Sequence, residues 1–172
     1  MWLRWAVLDL HLAAAIFWIG EMMFLAVVVG PYSRTLPPRQ RRELFVQLGR
    51  RSRPYAWTAI AVLLVTGVAN MALMGIAPLS LLDPALWRTT LGGVLALKVL
   101  AVGVLLVLVA LHDVVLVARS ARVDRRIGVE GPSEALVAEA ARLRRWASWL
   151  GRVNLVLALI VAFLGTGLTL GG

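Results

Sequence analysis

The sequence predicts an all-α integral membrane protein, a four-helix transmembrane bundle with both termini outside the cytoplasm and helical extensions on the cytoplasmic side. Three features carry that reading. The chain of 172 residues is 60% hydrophobic, with a mean hydropathy of +0.84, whereas a soluble domain is nearer half apolar. Its apolar residues gather into four runs, each long enough to cross a bilayer, which takes about 20 residues of helix. Its arginines fall between those runs rather than across them. The net charge of +9 therefore reads as membrane orientation and not as nucleic-acid binding. The chain has no Cys, which excludes disulfides, thiolate metal sites and Cys nucleophiles.

The runs cover about residues 4–30, 55–75, 89–118 and 148–170 of one domain spanning 1–172. They are continuous and lack period-two alternation, so helices are expected rather than barrel strands. The first run is too long for the core of a cleavable signal and carries Asp9, His11 and Glu21. The second begins after Arg53-Pro54. Between the first two lie Arg34, Arg39, Arg41, Arg42, Arg50, Arg51 and Arg53; between the last two lie Arg119, Arg122, Arg125, Arg126, Arg142, Arg144, Arg145 and Arg152. The connection from Ile76 to Arg88 holds one Arg. Positive charge stays in the cytoplasm, so the two arginine-rich connections are predicted inside and both termini outside. Tryptophans at both interfaces agree: Trp2, Trp5 and Trp87 outside, Trp57, Trp146 and Trp149 inside, with Trp18 alone in mid-span.

The arginine-rich connections are predicted to be partly helical. Pro37-Pro38 opens one helical piece, and Ser133 is an N-cap for another that runs into span four. Leu136, Ala140, Leu143, Ala147 and Leu150 keep the four-three spacing of a coiled-coil seam. These pieces extend helices two and four, and Asp124 to Pro132 reads as a loop between them. Arg39, Arg41, Arg42, Arg50, Arg51, Arg144 and Arg145 form a membrane-surface basic set. They could meet lipid headgroups, and the plainer reading is topology plus solvated helix ends.

Ionisable groups at bilayer depth cost about 3 kcal/mol or more each, so they face the bundle interior and are functional candidates. They are Asp9, His11 and Glu21 in span one, and Lys98, His112 and Asp113 in span three; Asn70 and Asn154 add neutral polarity in spans two and four. Lys98 is the single lysine of the chain. At 1.5 Å per residue, His11, Asn70 and Lys98 share a layer about 8–9 Å toward the outside. Glu21, Asn154 and His112 form an inner layer about 6–12 Å toward the cytoplasm. His11 and Trp18 lie about 20° apart on one helix face. Gly67, Gly92-Gly93, Gly103, Gly165 and Gly167 permit close helix approach.

Two histidines suggest a bis-histidine haem, but His11 and His112 differ by about 21 Å in depth. Haem b would need His11 with Lys98, or one His with an open position. Copper is the other cofactor to weigh, because thioether and imidazole suit Cu(I) when thiolates are absent. Met71 and Met74 stand near His11 in depth, although Met is also common filler in apolar helices. His112-Asp113, near the inner interface, reads first as a satisfied polar pair.

The segment LHLAAAIFWIGEMMFLAVVVGP resembles the first helix of the copper resistance protein D (CopD) domain, with His11, Trp18, Gly20, Phe24 and Pro31 in the matching places. RRSRPYAWTAIAVLLVTGVANM resembles its second helix, with Arg53 and Gly67, and WRTTLGGVLALKVLAVGVLLVLVALHDV its third, with Lys98 and His112. The resemblance covers about residues 6–118, and span four adds little. A weaker similarity runs to the HemJ family, which is linked to protoporphyrinogen oxidation and haem binding. The CopD resemblance implies copper handling at the bacterial inner (plasma) membrane, beside a periplasmic copper-binding protein or within a membrane complex, with oligomeric state open. Three readings stand. The first is a CopD-like protein binding or passing copper, with His11 as ligand, Met71 or Met74 as co-ligands and Lys98 as a gate or structural partner. The second is a haem-binding membrane redox protein. The third is a non-catalytic accessory subunit.

Overall fold

The computed structural model describes the backbone of residues 2–170 and the side chains of residues 2–165. The described residues form helices and turns, with no strand among them. Four long helices account for most of the chain: α1 (Trp2–Thr35), α2 (Pro38–Leu73), α3 (Thr90–Glu130) and α4 (Glu134–Leu170). Each is long and apolar enough to cross a membrane. In the most apolar stretch of each, only 17–22% of residues are buried within the protein. An apolar surface of that extent is stable only against lipid.

The helices are longer than a bilayer requires. At 1.5 Å per residue, 34 to 41 residues span about 50–60 Å, against a hydrocarbon core of about 30 Å. The surplus lies at the arginine-rich ends. The expected extensions of helices two and four are present, since Pro38 and Ser133 open α2 and α4 and both helices run unbroken into their spans. Ser133 caps α4, its Oγ accepting from the Leu136 N–H at 3.3 Å. The expected loop from Asp124 to Pro132 is not a loop. Helix α3 continues to Glu130 and stops at Gly131, whose φ of +84° favours glycine. The apolar side of this extension accounts for the difference. Leu116, Val123 and Ile127 pack on Leu136, Ala140 and Leu143 of α4 while the arginines face away.

Contacts divide the chain into two compact units, Met1–Ala96 and Leu97–Gly172. In the first, α1 packs antiparallel on α2. Its buried residues include Ala14, Trp18, Val29, Ala59, Ile60 and Met71. Trp18 is 8% exposed, in keeping with its mid-span place, and Trp2, Trp5, Trp57, Trp87, Trp146 and Trp149 are all exposed. Helix α1 widens to a π-turn over Leu25–Val29, where the Gly30 N–H bonds back five residues to Leu25 O. Pro31 follows, and a proline ring clashes with the carbonyl four residues back and lacks an N–H; one widened turn accommodates it. Between α2 and α3 the chain makes short turns. A Cβ at Gly92 would collide with the Leu86 carbonyl, so the start of α3 needs glycine there.

In the second unit, α3 and α4 run antiparallel. Val123 shares a buried cluster with Ala140, and the Nζ of Lys98, 25 residues earlier, reaches Gly165, 25 residues later. One register therefore holds along the pair. Helix α3 has its own π-turn over Leu111–Leu116, with the Val117 N–H bonded to His112 O.

Candidate functional site

In the first unit, His11 reaches from α1 to α2. Its Nδ1 lies 2.7 Å from Thr66 Oγ1. Thr66 is buried, 4% exposed, and its hydroxyl also lies 2.6 Å from the Val62 carbonyl one turn back. A carbonyl can only accept, so the single hydroxyl proton goes to Val62. Thr66 must then accept from His11. This fixes the proton on Nδ1 and the lone pair on Nε2, the arrangement that metal-ligating histidines adopt when an outer partner orients them. The ring lies against the backbone of Gly67, where an added Cβ would sit 3.7 Å from Cε1. Thr66 is the residue that sequence reasoning missed. Hydroxyls in apolar helices usually satisfy themselves on their own backbone, and Thr66 lies about 6 Å in depth from Asn70, the residue counted level with His11, so depth offered no signal.

The other expected residues of this unit take graded places around that pair. Trp18 is two turns along α1 and, in the register set by His11 and Thr66, stands level with Ala59; both are buried. Asn70, half-buried, is one turn beyond Thr66 and about 40° from it, on the same stripe of α2. Met71 is buried but turned about 140° from Thr66. Met74 follows the end of α2 and is exposed, about 12 Å along the axis from Thr66. Glu21 lies about 15 Å along α1 from His11. Its Oε2 is buried and has no hydrogen-bond partner among the described residues.

In the second unit, Lys98 is half-buried, and its Nζ lies 3.1 Å from where a Cβ on Gly165 would sit. The small residue leaves room for the ammonium group. Gly103, by contrast, has nothing within 4 Å, and Gly167 lies outside the residues with described side chains. His112 Nδ1 is 3.2 Å from Asp113 Oδ1, on the π-turn of α3. Asn154 is 5% exposed, with its Oδ1 unpartnered among the described residues. Among the described residues, no group of three or more His, Cys, Asp and Glu side chains assembles.

The basic set is exposed at Arg39, Arg42, Arg50, Arg51, Arg144 and Arg145. Arg41 has a structural task. Its Nε donates to Ser33 O at 2.6 Å and its Nη2 to Arg34 O at 3.0 Å. These are carbonyls at the end of α1 that lack helical donors, so the guanidinium caps one helix from the next.

The sequence profile of copper resistance protein D (CopD) matches residues 46–168. The match begins after α1, so the His11, Trp18 and Pro31 region that carried the resemblance lies outside it. It takes in nearly all of the described part of α4, which the resemblance treated as adding little. Thr66, the partner of His11, is inside. A protein of Aquifex aeolicus (strain VF5), described only as an uncharacterized protein, is 31% identical over 167 residues, 95% of this chain and 94% of that one. No solved structure matches. Four membrane-length helices and a profile match over most of the chain lead to one assignment: this multi-pass membrane protein belongs to the copper resistance protein D family.

Proposed function

We propose that the protein binds or passes copper at the bacterial inner membrane, with His11 as the principal ligand. The observation that carries this reading is the His11–Thr66 bond, which aligns an imidazole in an apolar span with its lone pair on Nε2. Such a group suits Cu(I), a soft cation that also accepts thioether sulfur. Buried Met71, on the same helix as Thr66, supplies the nearer thioether of the two candidates, and Met74 lies farther along. Copper is cargo in this reading. The chain's own residues orient the imidazole, exclude water around it and set its protonation. The positive charge of Lys98 opposes unshielded cations along α3 and acts as a gate. The arginine-rich helix ends are cytoplasmic by the distribution of charge, which puts both termini and the His11 half of α1 toward the periplasm. A periplasmic copper-binding protein would meet the protein on that side.

The test is Cu(I) binding by the purified protein under reducing conditions, with an absorption spectrum of the same sample. The expected result is copper bound by the wild type and lost in His11→Ala, without a Soret band. A Soret band abolished by His11→Ala would replace this reading with a haem protein. A colourless, copper-free protein with a stable co-purifying partner would replace it with an accessory subunit.

A further inference from the structure

Helix α4 buries one continuous seam, and its members are apolar or small except one. Leu136, Ala140, Leu143, Leu150, Asn154 and Ala158 are all buried. Asn154 ends with an amide oxygen that no hydrogen-bond donor meets among the described residues. A buried acceptor left unmade costs about 1–3 kcal/mol, and leucine at this place would avoid that cost.

The register of the pair shows what faces Asn154. With Val123 at Ala140 and Lys98 at Gly165, Asn154 is level with Val109 of α3. His112 lies three residues on, about 4.5 Å along the axis. It is also on the side of α3 that faces α4. Lys98, Leu105 and His112 follow at intervals of seven; Lys98 meets Gly165, and Leu105 is 2% exposed. Four residues after His112, Leu116 packs on the α4 cluster. The π-turn over Leu111–Leu116 thus displays His112 and Asp113 beside the polar break in the α4 seam. Wide turns of this kind recur at functional sites.

The donors gathered there have one chemistry. A carboxylate only accepts, so the 3.2 Å contact with Asp113 places the His112 proton on Nδ1 and the lone pair on Nε2. The Asn154 oxygen is an acceptor as well. Imidazole nitrogen and the unpartnered amide oxygen both offer lone pairs, a pair of donors suited to a cation. We propose that His112, Asp113 and Asn154 form a second cation site, distinct from His11, for a divalent transition metal of the kind that takes nitrogen and oxygen ligands. Imidazole suits Zn²⁺, and oxygen donors favour a harder ion than Cu(I). His112 and Asn154 are the ligands, Asp113 orients the ring from outside, and water completes the coordination. The site stands about 21 Å along α3 from Lys98, at the arginine-rich end. It does not depend on the role proposed for His11.

The test uses tag-free protein in detergent carrying His11→Ala, with Zn²⁺ alone as the probe, by equilibrium dialysis and elemental analysis. The expected result is one equivalent bound. Adding His112→Ala removes it. Adding Asp113→Asn weakens it about 10–100-fold, the usual loss when an outer partner of a metal-binding histidine is changed. Adding Asn154→Leu weakens it about tenfold or more, and this variant keeps the fold because it removes an unsatisfied polar group from an apolar seam. Binding by the His11→Ala protein that all three changes leave untouched would overturn the proposal, as would a helical, monodisperse His11→Ala protein that binds no Zn²⁺.

Discussion

The two units each anchor one histidine through Nδ1, and they do so in opposite ways. In the first, His11 donates to a neutral hydroxyl on another helix, 55 residues away in sequence. In the second, His112 pairs with the carboxylate of the next residue on its own helix. The first contact joins two helices and orients a half-buried ring. The second is local, partly exposed at 33% and 22% of the two side chains, and gives the ring a negative neighbour. An imidazole oriented by a hydroxyl in an apolar span suits the soft monovalent cation proposed for it. An imidazole backed by a carboxylate, with the amide oxygen proposed to join it, suits a harder, divalent one. The same residue type, anchored through the same atom, is tuned by what surrounds it.

Substitutions at the two anchors separate these effects. Thr66→Val keeps the shape of the side chain and removes the oxygen that orients His11. Cu(I) affinity should fall about 10–100-fold, measured by competition with a chromogenic chelator, while Zn²⁺ binding at His112 stays as it was. Unchanged Cu(I) affinity would mean the hydroxyl does not orient a ligand. Asp113→Asn should show the reverse pattern, leaving Cu(I) affinity within about twofold; the larger Zn²⁺ loss is the outer-partner effect.

A smaller effect distinguishes the two anchors by stability. A double-mutant cycle on His11 and Thr66, read from reversible unfolding in detergent, should give a coupling of about 0.6–1.7 kcal/mol, the range for hydrogen bonds between membrane helices. The same cycle on His112 and Asp113 should give less than about 1 kcal/mol, because the pair is partly solvated and local. Equal couplings would erase the distinction between an interhelical anchor and a local one. The smallest change belongs to Arg126→Ala. Its guanidinium grips Glu130 through two bonds of 3.0 and 3.1 Å on the exposed side of α3. The melting temperature should not move measurably, since exposed pairs contribute little. Loss of α3 helicity in this variant would show that the extension depends on its charged face and not on Leu116, Val123 and Ile127.

The four spans were legible because an apolar run longer than about 20 residues matches the thickness of a bilayer and exceeds what a soluble core ordinarily buries. The extended helices two and four were legible from Pro38, Ser133 and the seam from Leu136 to Leu150. The extension of α3 was not, because arginines at 119, 122, 125 and 126 hide a stripe of only three apolar residues that gains meaning once α4 lies beside it. Around the site, the mid-span place of Trp18 on the His11 face and the neutral polarity of Asn154 in span four could be read from the sequence. The pairing of His11 with Thr66 could not. A threonine in an apolar helix carries no mark of what its second lone pair accepts, and that depends on how α1 lies across α2. The π-turn under His112 was equally hidden, since no proline or glycine announces it.

Copper binding at His11, with Thr66 holding the ring, is open to a simple measurement. The Cu(I) content of the purified protein and of His11→Ala would be compared after loading side by side under reducing conditions, with equal helicity confirmed in both. The expected result is one Cu(I) per wild-type chain and none in His11→Ala. Equal copper in both, or none in either, would rule out His11 as the ligand.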